Sequence, residues 1–357
     1  MAENSKIAWT THTFNPWTGC TKVSPGCTNC YAESQVKRWG GAKWGVGQER
    51  VHTSAGYWHK PFKWDRDAAA SGERPRVFCA SLADVFDPEV PDTWRDEVLG
   101  MIAATPNLDW LLLTKRPEVA RVYLNGLPER IGARFIRPTL CGNAAGLLEA
   151  RGEQALADKL YRRANELAGR GHSSQWPLPN LWLGTTVEDG KRGERVADLL
   201  RTKAAVHFLS CEPQIADLNI RRLDSESGDQ TDALNGFTEF KQNGGARVLG
   251  VDWVIVGGES GHGARPFALE WARKTIEACR EDGVAVFFKQ TGCLVVPQTD
   301  DDTFALHGSD VPGLQTIDMR KEWFGKDPKG DQPEHWPEDL NIRQVPCAPA
   351  TRTGWRW

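Results

Sequence analysis

The sequence predicts an α/β fold built around a parallel β-sheet of about six to seven strands. Short runs of the chain are almost continuously apolar, which is typical of strands buried on both faces of a sheet. Segments with helical periodicity separate several of these runs, and such alternation favours a parallel sheet. The residues alone are compatible with an open doubly wound sheet or with a partial (β/α) barrel. In both folds, ligands bind at the carboxyl ends of the strands.

The apolar runs place the strands in chain order. Residues 7–14 form a first and weaker candidate. The clearer candidates follow at 76–81, 108–114, 181–186, 206–210, 251–256 and 284–289. Most of these runs end in polar residues.

Helices are predicted between several of the strands from apolar positions that recur at helical spacing. The clearest segments are 91–104, 192–202 and 269–282. Gly283 follows the last segment, where a glycine commonly ends a helix.

Residues 1–295 are predicted to form the barrel-like domain. Residues 118–176 are too long for one crossover and contain the amphipathic run 147–167, so we expect a helical insertion there. Residues 221–248 are polar and rich in glycine, and are expected to form a flexible loop over the barrel mouth. Residues 296–357 are predicted to be a C-terminal extension that packs on the barrel through its tryptophans.

Composition limits the class of protein. Hydrophobic residues make up 40% and charged residues 25% of the 357 residues, which is ordinary for a globular chain. The apolar runs are too short to cross a bilayer and the N-terminus lacks the apolar segment of a secretory signal, so we expect a cytoplasmic protein without a membrane partner. The net charge of −3 excludes binding to nucleic acid through a global positive field, although a local basic groove remains compatible.

Three of the nine cysteines, Cys20, Cys27 and Cys30, form a cluster with the spacing Cys-x6-Cys-x2-Cys. Clustered thiols in a chain without an export signal favour metal binding over disulfides. A [4Fe–4S] cluster normally takes four thiolates, so three would leave one iron open to a small molecule. A structural zinc site with His12 as fourth ligand is the alternative. A set of buried cysteines without metal is a further one.

Polar residues follow each predicted strand, and the carboxyl ends of parallel strands meet at one edge of a sheet. The segments concerned are 81–84, 114–117, 185–188, 210–213, 257–261 and 289–292. Five or more of these strand ends carry a carboxylate or a lysine, which is the arrangement of an active site at the mouth of a barrel.

Residues 14–33, FNPWTGCTKVSPGCTNCYAE, resemble the opening motif of the phage-associated Gp37/Gp68 family, a domain of unknown function similar to radical S-adenosylmethionine (SAM) proteins. The resemblance covers roughly residues 7–292 and continues at 83–86, 113–117, 182–188, 208–213, 253–261 and 287–290. It implies a partial (β/α) barrel, a [4Fe–4S] cluster, SAM, and a reductase or flavodoxin-type electron donor. The first gap of six residues departs from the Cys-x3-Cys-x2-Cys of most radical SAM proteins.

In the implied reaction, one electron from the cluster cleaves SAM, and a 5′-deoxyadenosyl radical takes hydrogen from the substrate. Lys115 is expected to pair with the carboxylate of SAM, and Ser81 and Asp84 to receive its amino group. The carboxylates expected to bind ribose hydroxyls or substrate are Glu188, Glu212 and Glu259.

Further roles are expected from four other residues at the strand ends. Gly257 and Gly258 would let the backbone approach a bound ligand closely. Cys211 is a candidate for returning a hydrogen atom to a product radical, and a packing role is its alternative. Lys289 is a candidate for binding an anionic group near the mouth.

Three functions remain open at this point. The first is a radical SAM enzyme that modifies or repairs a nucleic-acid base or nucleotide. The second is a radical SAM enzyme that acts on a peptide or small metabolite, and the third is a non-catalytic zinc or iron–sulfur module that binds nucleic acid. A basic groove at the mouth would favour the first, an enclosed neutral or acidic pocket the second, and a fourth ligand near the cysteines the third.

Overall fold

The computed structural model describes residues 3–41, 44–132, 135–168, 175–242, 244–298, 317–319, 327 and 329–346. Their strands are β1 (His12–Thr13), β2 (Trp17–Thr18), β3 (Val51–His52), β4 (Arg76–Cys79), β5 (Asp109–Thr114), β6 (Leu181–Thr186), β7 (Val206–Cys211), β8 (Leu223–Asp224), β9 (Gln230–Asp232), β10 (Phe237–Glu239), β11 (Gly245–Arg247), β12 (Trp253–Gly257), β13 (Phe267–Ala268), β14 (Ala285–Gln290), β15 (Leu294–Val296) and β16 (Ile317–Asp318). Their α-helices are α1 (Tyr31–Arg38), α2 (Ala55–Trp58), α3 (Lys60–Ser71), α4 (Asp92–Ala104), α5 (Pro117–Ile131), α6 (Ile136–Ala150), α7 (Gln154–Ala168), α8 (Gly193–Leu200) and α9 (Leu269–Glu281).

Seven strands form the central sheet in the order β1-β4-β5-β6-β7-β12-β14. Every neighbouring pair in this sheet is parallel. The sheet curls into a half-barrel, so the predicted α/β partial barrel of six to seven parallel strands is confirmed. The strands were recognisable because a parallel sheet covered on both faces needs apolar residues at almost every position.

Helices connect successive strands of the sheet, and α4, α8 and α9 lie within the segments that the periodicity predicts. Gly283, which follows α9, has a φ of 66° in the left-handed region, where glycine has no steric cost.

Aromatic and aliphatic side chains fill the inner face of the half-barrel. The buried members of this group are Trp9, Phe78, Leu111, Trp182, Val206, Phe208, Trp253, Ile255 and Phe287. Trp253 lies at their centre, with ring centroids 5.9 to 6.3 Å from Trp9, Trp182, Phe208 and Phe287. Because successive side chains of a strand point to opposite faces, the alternate residues pack against the helices instead. Among the described residues, the inner-face side chains therefore pack the lower part of the half-barrel.

The predicted insertion at 118–176 contains most of α5, all of α6 and all of α7. Helix α6 packs closely against α4 at Gly100, where an added Cβ would lie 2.3 Å from that of Ala144 and 2.8 Å from the carbonyl oxygen of Leu140. This glycine lets the two helices approach, so the insertion shares the core of the barrel.

Residues 221–248 were expected to form a flexible loop over the barrel mouth, and they form a four-stranded antiparallel sheet instead, in the order β11-β10-β9-β8. The sheet packs against α8, where a Cβ on Gly193 would lie 2.4 Å from the carbonyl oxygen of Leu223. Of its three buried strand residues, Leu223 is aliphatic, whereas Thr231 and Thr238 are threonines. A strand whose buried side chain is a threonine shows no apolar run in the sequence, and for this reason the sequence suggested a loop.

The C-terminal region is only partly within the described residues. Strand β16 pairs with β15, and the buried Trp336 packs edge-on against Phe288 with centroids 4.9 Å apart. The predicted packing of Trp323, Trp355 and Trp357 lies outside the described residues. Within those residues, no helix has both the length and the apolar character needed to cross a bilayer.

Candidate functional site

The carboxyl ends of the central strands surround a cavity of about 350 Å³. This volume is within the range of small-molecule sites, which is about 300 to 1,000 Å³. Trp9, Phe78 and Leu113 give the cavity an apolar wall that continues the inner face of the sheet. The polar lining residues from the strand ends include Ser81, Lys115, Thr186, Ser210, Glu212, Glu259 and Lys289. The edge at which ligands bind in parallel folds is therefore where this chain has its cavity.

The cysteine loop, residues 19–30, forms one side of the cavity. Gly19 begins it with a φ of 106° and is bridged to Ala83 beside the end of β4. Cys27 ends a single 3₁₀ turn, and Cys30 is the residue that precedes α1. Cys20, Cys27 and Cys30 are all partly exposed and all line the cavity.

The three thiols are of the ligand type that iron–sulfur clusters use, and they share one cavity. Among the described residues, no group of three or more His, Cys, Asp or Glu side chains is arranged so that it could hold a metal ion. The thiols are therefore on a common wall and are not already drawn together around one point.

The zinc alternative has His12 as a possible fourth ligand, and the structure places His12 away from the cavity. His12 is buried in β1, where its ring stacks on Trp64 at a centroid distance of 4.3 Å and an interplanar angle of 10°. Its Nδ1 accepts a hydrogen bond of 3.3 Å from the backbone of Asn4. His12 does not line the cavity, because the alternation of β1 turns its side chain toward α3.

Sequence reasoning did not single out Arg116 as a site residue, yet its guanidinium lies beside Cys20. Arg116 Nη1 donates to Cys20 Sγ at 3.7 Å and to Asp84 Oδ2 at 2.8 Å. Burial raises the pKa of the Cys20 thiol to about 12, and the charge of Asp84 adds to the rise, whereas Arg116 opposes it. The signal for this contact in the sequence was only the position of Arg116 after a predicted strand.

Asp84 lines the cavity, but both of its carboxylate oxygens are engaged within the protein. Oδ1 accepts hydrogen bonds from the Thr114 hydroxyl at 2.7 Å and the Phe86 amide at 2.9 Å. Oδ2 accepts from the Lys115 amide at 3.1 Å, in addition to Arg116. Asp84 thus fixes the turn that follows β5, which differs from the expected role of receiving the amino group of SAM.

Ser81 and Lys115 both present side chains to the cavity, as the expected roles require. The Ser81 hydroxyl is 3.1 Å from Asn15 Nδ2, and its carbonyl accepts a hydrogen bond from the Tyr31 hydroxyl at 2.8 Å. Lys115 Nζ donates to the Thr186 hydroxyl at 3.2 Å. Within the described part of the chain, no carboxylate forms an ion pair with Lys115, so its charge is available to an anionic ligand.

Glu212 and Lys289 form an ion pair across the cavity wall. Glu212 follows β7 and Lys289 lies in β14, so the pair bridges over β12, which separates these strands in the sheet. Their side chains are 14% and 20% exposed, so each charge is largely sheltered and still accessible from the cavity. The sequence predicts separate roles for Glu212 and Lys289, whereas the structure shows them as one ion pair.

Glu259 lines the cavity and links it to the cysteine loop. Its carboxylate accepts two charged hydrogen bonds from Arg265, at 2.7 and 2.8 Å, and one from Asn29 at 3.2 Å. Arg265 also donates to the carbonyl oxygen of Pro25 at 3.0 Å. Burial acts to raise the pKa of Glu259, but the hydrogen bonds from Arg265 and Asn29 outweigh it and lower that pKa below its ordinary value.

Cys211 does not reach the cavity, which corrects its expected role in hydrogen transfer. It is fully buried in the main core on the helix-facing side of β7, whereas the adjacent Ser210 and Glu212 line the cavity. Successive residues of a strand face opposite sides, so only one of two neighbours can be in the site. Burial raises the pKa of the Cys211 thiol, as expected of a packing cysteine.

Glu188 is also absent from the cavity wall, contrary to its expected role in ligand binding. Its side chain is fully buried, and its Oε2 accepts a hydrogen bond of 2.9 Å from Arg195. A Cβ on Gly26 of the cysteine loop would lie 3.2 Å from the Glu188 carboxyl carbon. The Glu188 side chain therefore packs against this loop at Gly26.

Close packing against the neighbouring chain largely explains why residues 257 and 258 are glycines. A Cβ on Gly258 would lie 2.2 Å from the carbonyl oxygen of Thr291, and one on Gly257 would lie 3.2 Å from that of Gln290. Gly258 lines the cavity and Gly257 does not. Only Gly258 therefore remains in a position to meet a ligand.

The lining of the cavity carries more cationic than anionic side chains. The cations are Lys6, Lys22, Lys115, Arg116, Lys289 and Lys329, and the carboxylates are Asp84, Glu212, Glu259 and Asp331. An aromatic surface accompanies them, because Tyr31 lines the cavity and is 54% exposed. Trp44 also lines the cavity. Trp39, at the end of α1, is 53% exposed but is not among the lining residues.

Comparison with known proteins gives a family and no function. No curated protein and no solved structure matches the chain. Residues 4–336 match the model of a family described as protein of unknown function, DUF5131. This match spans the cysteine loop and the whole central sheet, and the chain therefore belongs to the DUF5131 family.

Proposed function

We propose that the protein is a radical SAM enzyme that holds a [4Fe–4S] cluster on Cys20, Cys27 and Cys30. The observation that carries the proposal is that these three thiols line one cavity at the carboxyl edge of a parallel half-barrel. The resemblance of residues 14–33 to the Gp37/Gp68 motif, and through it to radical SAM proteins, supports the same reading.

When bound, the cluster would supply the electron that breaks a carbon–sulfur bond of SAM, with a reductase or flavodoxin-type protein as the source of that electron. The chain itself would bind and orient the cofactor. Lys115 offers an ammonium group without a carboxylate partner in the described residues, which suits the carboxylate of SAM. Trp9 and Phe78 would keep water from the reacting groups.

We propose a nucleic-acid base or nucleotide as the substrate. Six cations against four carboxylates in the cavity lining favour an anionic ligand over a neutral one. The exposed face of Tyr31, which lines the cavity, provides a surface on which a base can stack. A peptide or small-metabolite substrate is the second candidate. It is favoured by the Glu212–Lys289 ion pair, which places one negative and one positive group in the cavity wall, as a zwitterionic ligand would need.

The cluster is tested by anaerobic purification with iron and sulfide analysis, followed by an assay for reductive formation of 5′-deoxyadenosine. We expect about four iron and four sulfide per chain, as the composition of the cluster requires. Cys27→Ser should lose most of the iron and the product. Cys141→Ser is the matched control, because Cys141 is fully buried in α6 and does not line the cavity.

A colourless protein with stoichiometric zinc would exclude the proposed function. An iron–sulfur protein that forms no 5′-deoxyadenosine under reduction would instead favour the non-catalytic module. The two results differ in iron content and cannot be confused.

The substrate class is tested by fluorescence anisotropy with labelled single-stranded DNA and RNA across a salt series. We expect Tyr31→Ala to weaken binding by about tenfold, because Tyr31 is exposed and lines the cavity and stacking on one base contributes about 1 to 3 kcal/mol. Tyr161→Ala is the control, because Tyr161 is a partly exposed aromatic residue on α7 and does not line the cavity. Absence of salt-dependent binding to either nucleic acid would favour the peptide or metabolite.

A further inference from the structure

Thr21, the residue that follows the first cysteine, is held by charged side chains at all three of its polar groups. Its amide donates to Asp87 Oδ2 at 3.2 Å. Its carbonyl accepts from Arg116 Nη2 at 2.6 Å, and its hydroxyl accepts from Arg50 Nη2 at 2.7 Å. Thr21 is therefore fixed in both position and orientation, and Cys20 is attached directly to it.

The residues that hold Thr21 belong to one buried charge network that also includes Asp84. Arg116 pairs with Asp84 at 2.8 Å, and Arg50 pairs with Asp87 at 2.8 Å. The side chains of all four are at most 8% exposed. Buried ion pairs contribute little net stability because desolvation offsets their attraction, so such a network is better explained by the geometry that it imposes.

Arg116 reaches the cysteine itself as well as its neighbour. One of its terminal nitrogens lies 3.7 Å from Cys20 Sγ, within the range of a hydrogen bond to sulfur, and the other holds the carbonyl of Thr21. Among the described residues, neither Cys27 nor Cys30 receives such a bond from a cation, and Cys27 Sγ has only the Ser24 hydroxyl at 4.0 Å. The first cysteine is therefore distinguished from the other two.

We propose that Arg116 is a positioning residue for Cys20. Its planar guanidinium binds the sulfur and the following carbonyl together, and thereby directs the sulfur toward the cavity while placing a positive charge next to it. In a cluster-bound protein, whose existence rests on the proposed function, the Arg116 guanidinium beside Cys20 would favour the reduced cluster, because reduction adds negative charge to its sulfurs. Arg116 thus has a structural effect without metal and an electronic effect with it.

Arg116→Gln and Arg116→Lys separate the two effects. Amide hydrogen exchange of the metal-free protein reports on the segment around Thr21. We expect both variants to exchange there at least tenfold faster than the unsubstituted protein, because neither can bridge sulfur and carbonyl as the guanidinium does. Arg137→Gln is the matched control, since Arg137 is buried, donates to the Ala103 carbonyl and does not line the cavity.

The redox effect is measured on reconstituted protein as the cluster midpoint potential, followed by electron paramagnetic resonance. At a fixed potential, Arg116→Gln should decrease the ratio of reduced to oxidised cluster by about tenfold, which equals about 59 mV for a one-electron couple. Arg116→Lys keeps the charge and should recover part of this shift without restoring slow exchange.

Unchanged exchange around Thr21 in both variants would overturn the positioning role. A midpoint potential equal to that of the Arg137→Gln control would overturn the electronic role. If the unsubstituted protein binds no iron, the proposed function fails, and the exchange measurement still decides whether Arg116 positions Cys20.

Discussion

Replacing Arg195 with methionine tests how much the buried Glu188–Arg195 pair, which lies against the cysteine loop, contributes to stability. Glu188 is fully buried, and Arg195 Nη1 donates to its Oε2 at 2.9 Å and to the carbonyl oxygen of Thr186 at 3.1 Å. Arg195→Met would leave the Glu188 carboxylate in the core without its main partner. Removal of one member of a buried pair typically costs about 3 to 5 kcal/mol.

Because a second cation remains near Glu188, we expect the stability loss of Arg195→Met to be at the lower end of the range of about 3 to 5 kcal/mol. Arg192 Nε lies 3.8 Å from Glu188 Oε1 and retains part of the electrostatic compensation. We therefore expect the free energy of unfolding to fall by about 3 kcal/mol. Urea denaturation followed by tryptophan fluorescence measures this change.

The double variant Glu188→Met/Arg195→Met supplies the control, because it removes both charges. It should be more stable than Arg195→Met by about 2 kcal/mol, since an apolar pair avoids the cost of an unpaired buried charge. A loss below about 1 kcal/mol in the single variant, or a double variant less stable than the single one, would refute the reasoning.

Two further predictions concern the barrel interior and the pH dependence of the site. Trp253→Ala should decrease the free energy of unfolding by about 3 to 5 kcal/mol, because Trp253 is fully buried at the centre of the inner face. The control Trp39→Ala, at an exposed position, should change it by less than about 0.5 kcal/mol. Similar urea midpoints for the two variants would contradict this prediction. The hydrogen bonds that lower the pKa of Glu259 stabilise the folded protein at pH values above 4.5, the ordinary pKa of a glutamate. This stabilisation is lost as the pH falls through the lower pKa of Glu259 in the folded protein. Glu259→Gln should therefore be less stable than the unsubstituted protein at neutral pH and approach it under acidic conditions, and urea midpoints that differ equally at all pH values would count against this account.

The central sheet could be predicted from the sequence because burial on both faces leaves a direct record in each strand. Residues 181–183 and 253–256 are wholly apolar, and the structure places them in β6 and β12. The cysteine spacing was likewise sufficient to locate the loop that borders the cavity. Both features depend on residues that are close together in the chain.

The face on which a strand-end residue lies was decided by the tertiary structure. Ser210, Cys211 and Glu212 are consecutive, yet only the first and third line the cavity, because the exact point at which β7 ends sets their alternation. Sequence patterns locate such ends only to within a few residues. A shift of one residue exchanges the two faces.

The partners of the site residues also depended on the tertiary structure. Arg116 meets Cys20 across 96 positions of sequence, and Lys289 meets Glu212 across 77. His12 was placed on Trp64 instead of beside the cysteines. The sequence by itself determined which strands form the barrel and which thiols border its mouth, since local hydrophobicity and spacing carry that information. Which charges pair there was settled only when the sheet curled and brought distant strand ends within hydrogen-bonding distance.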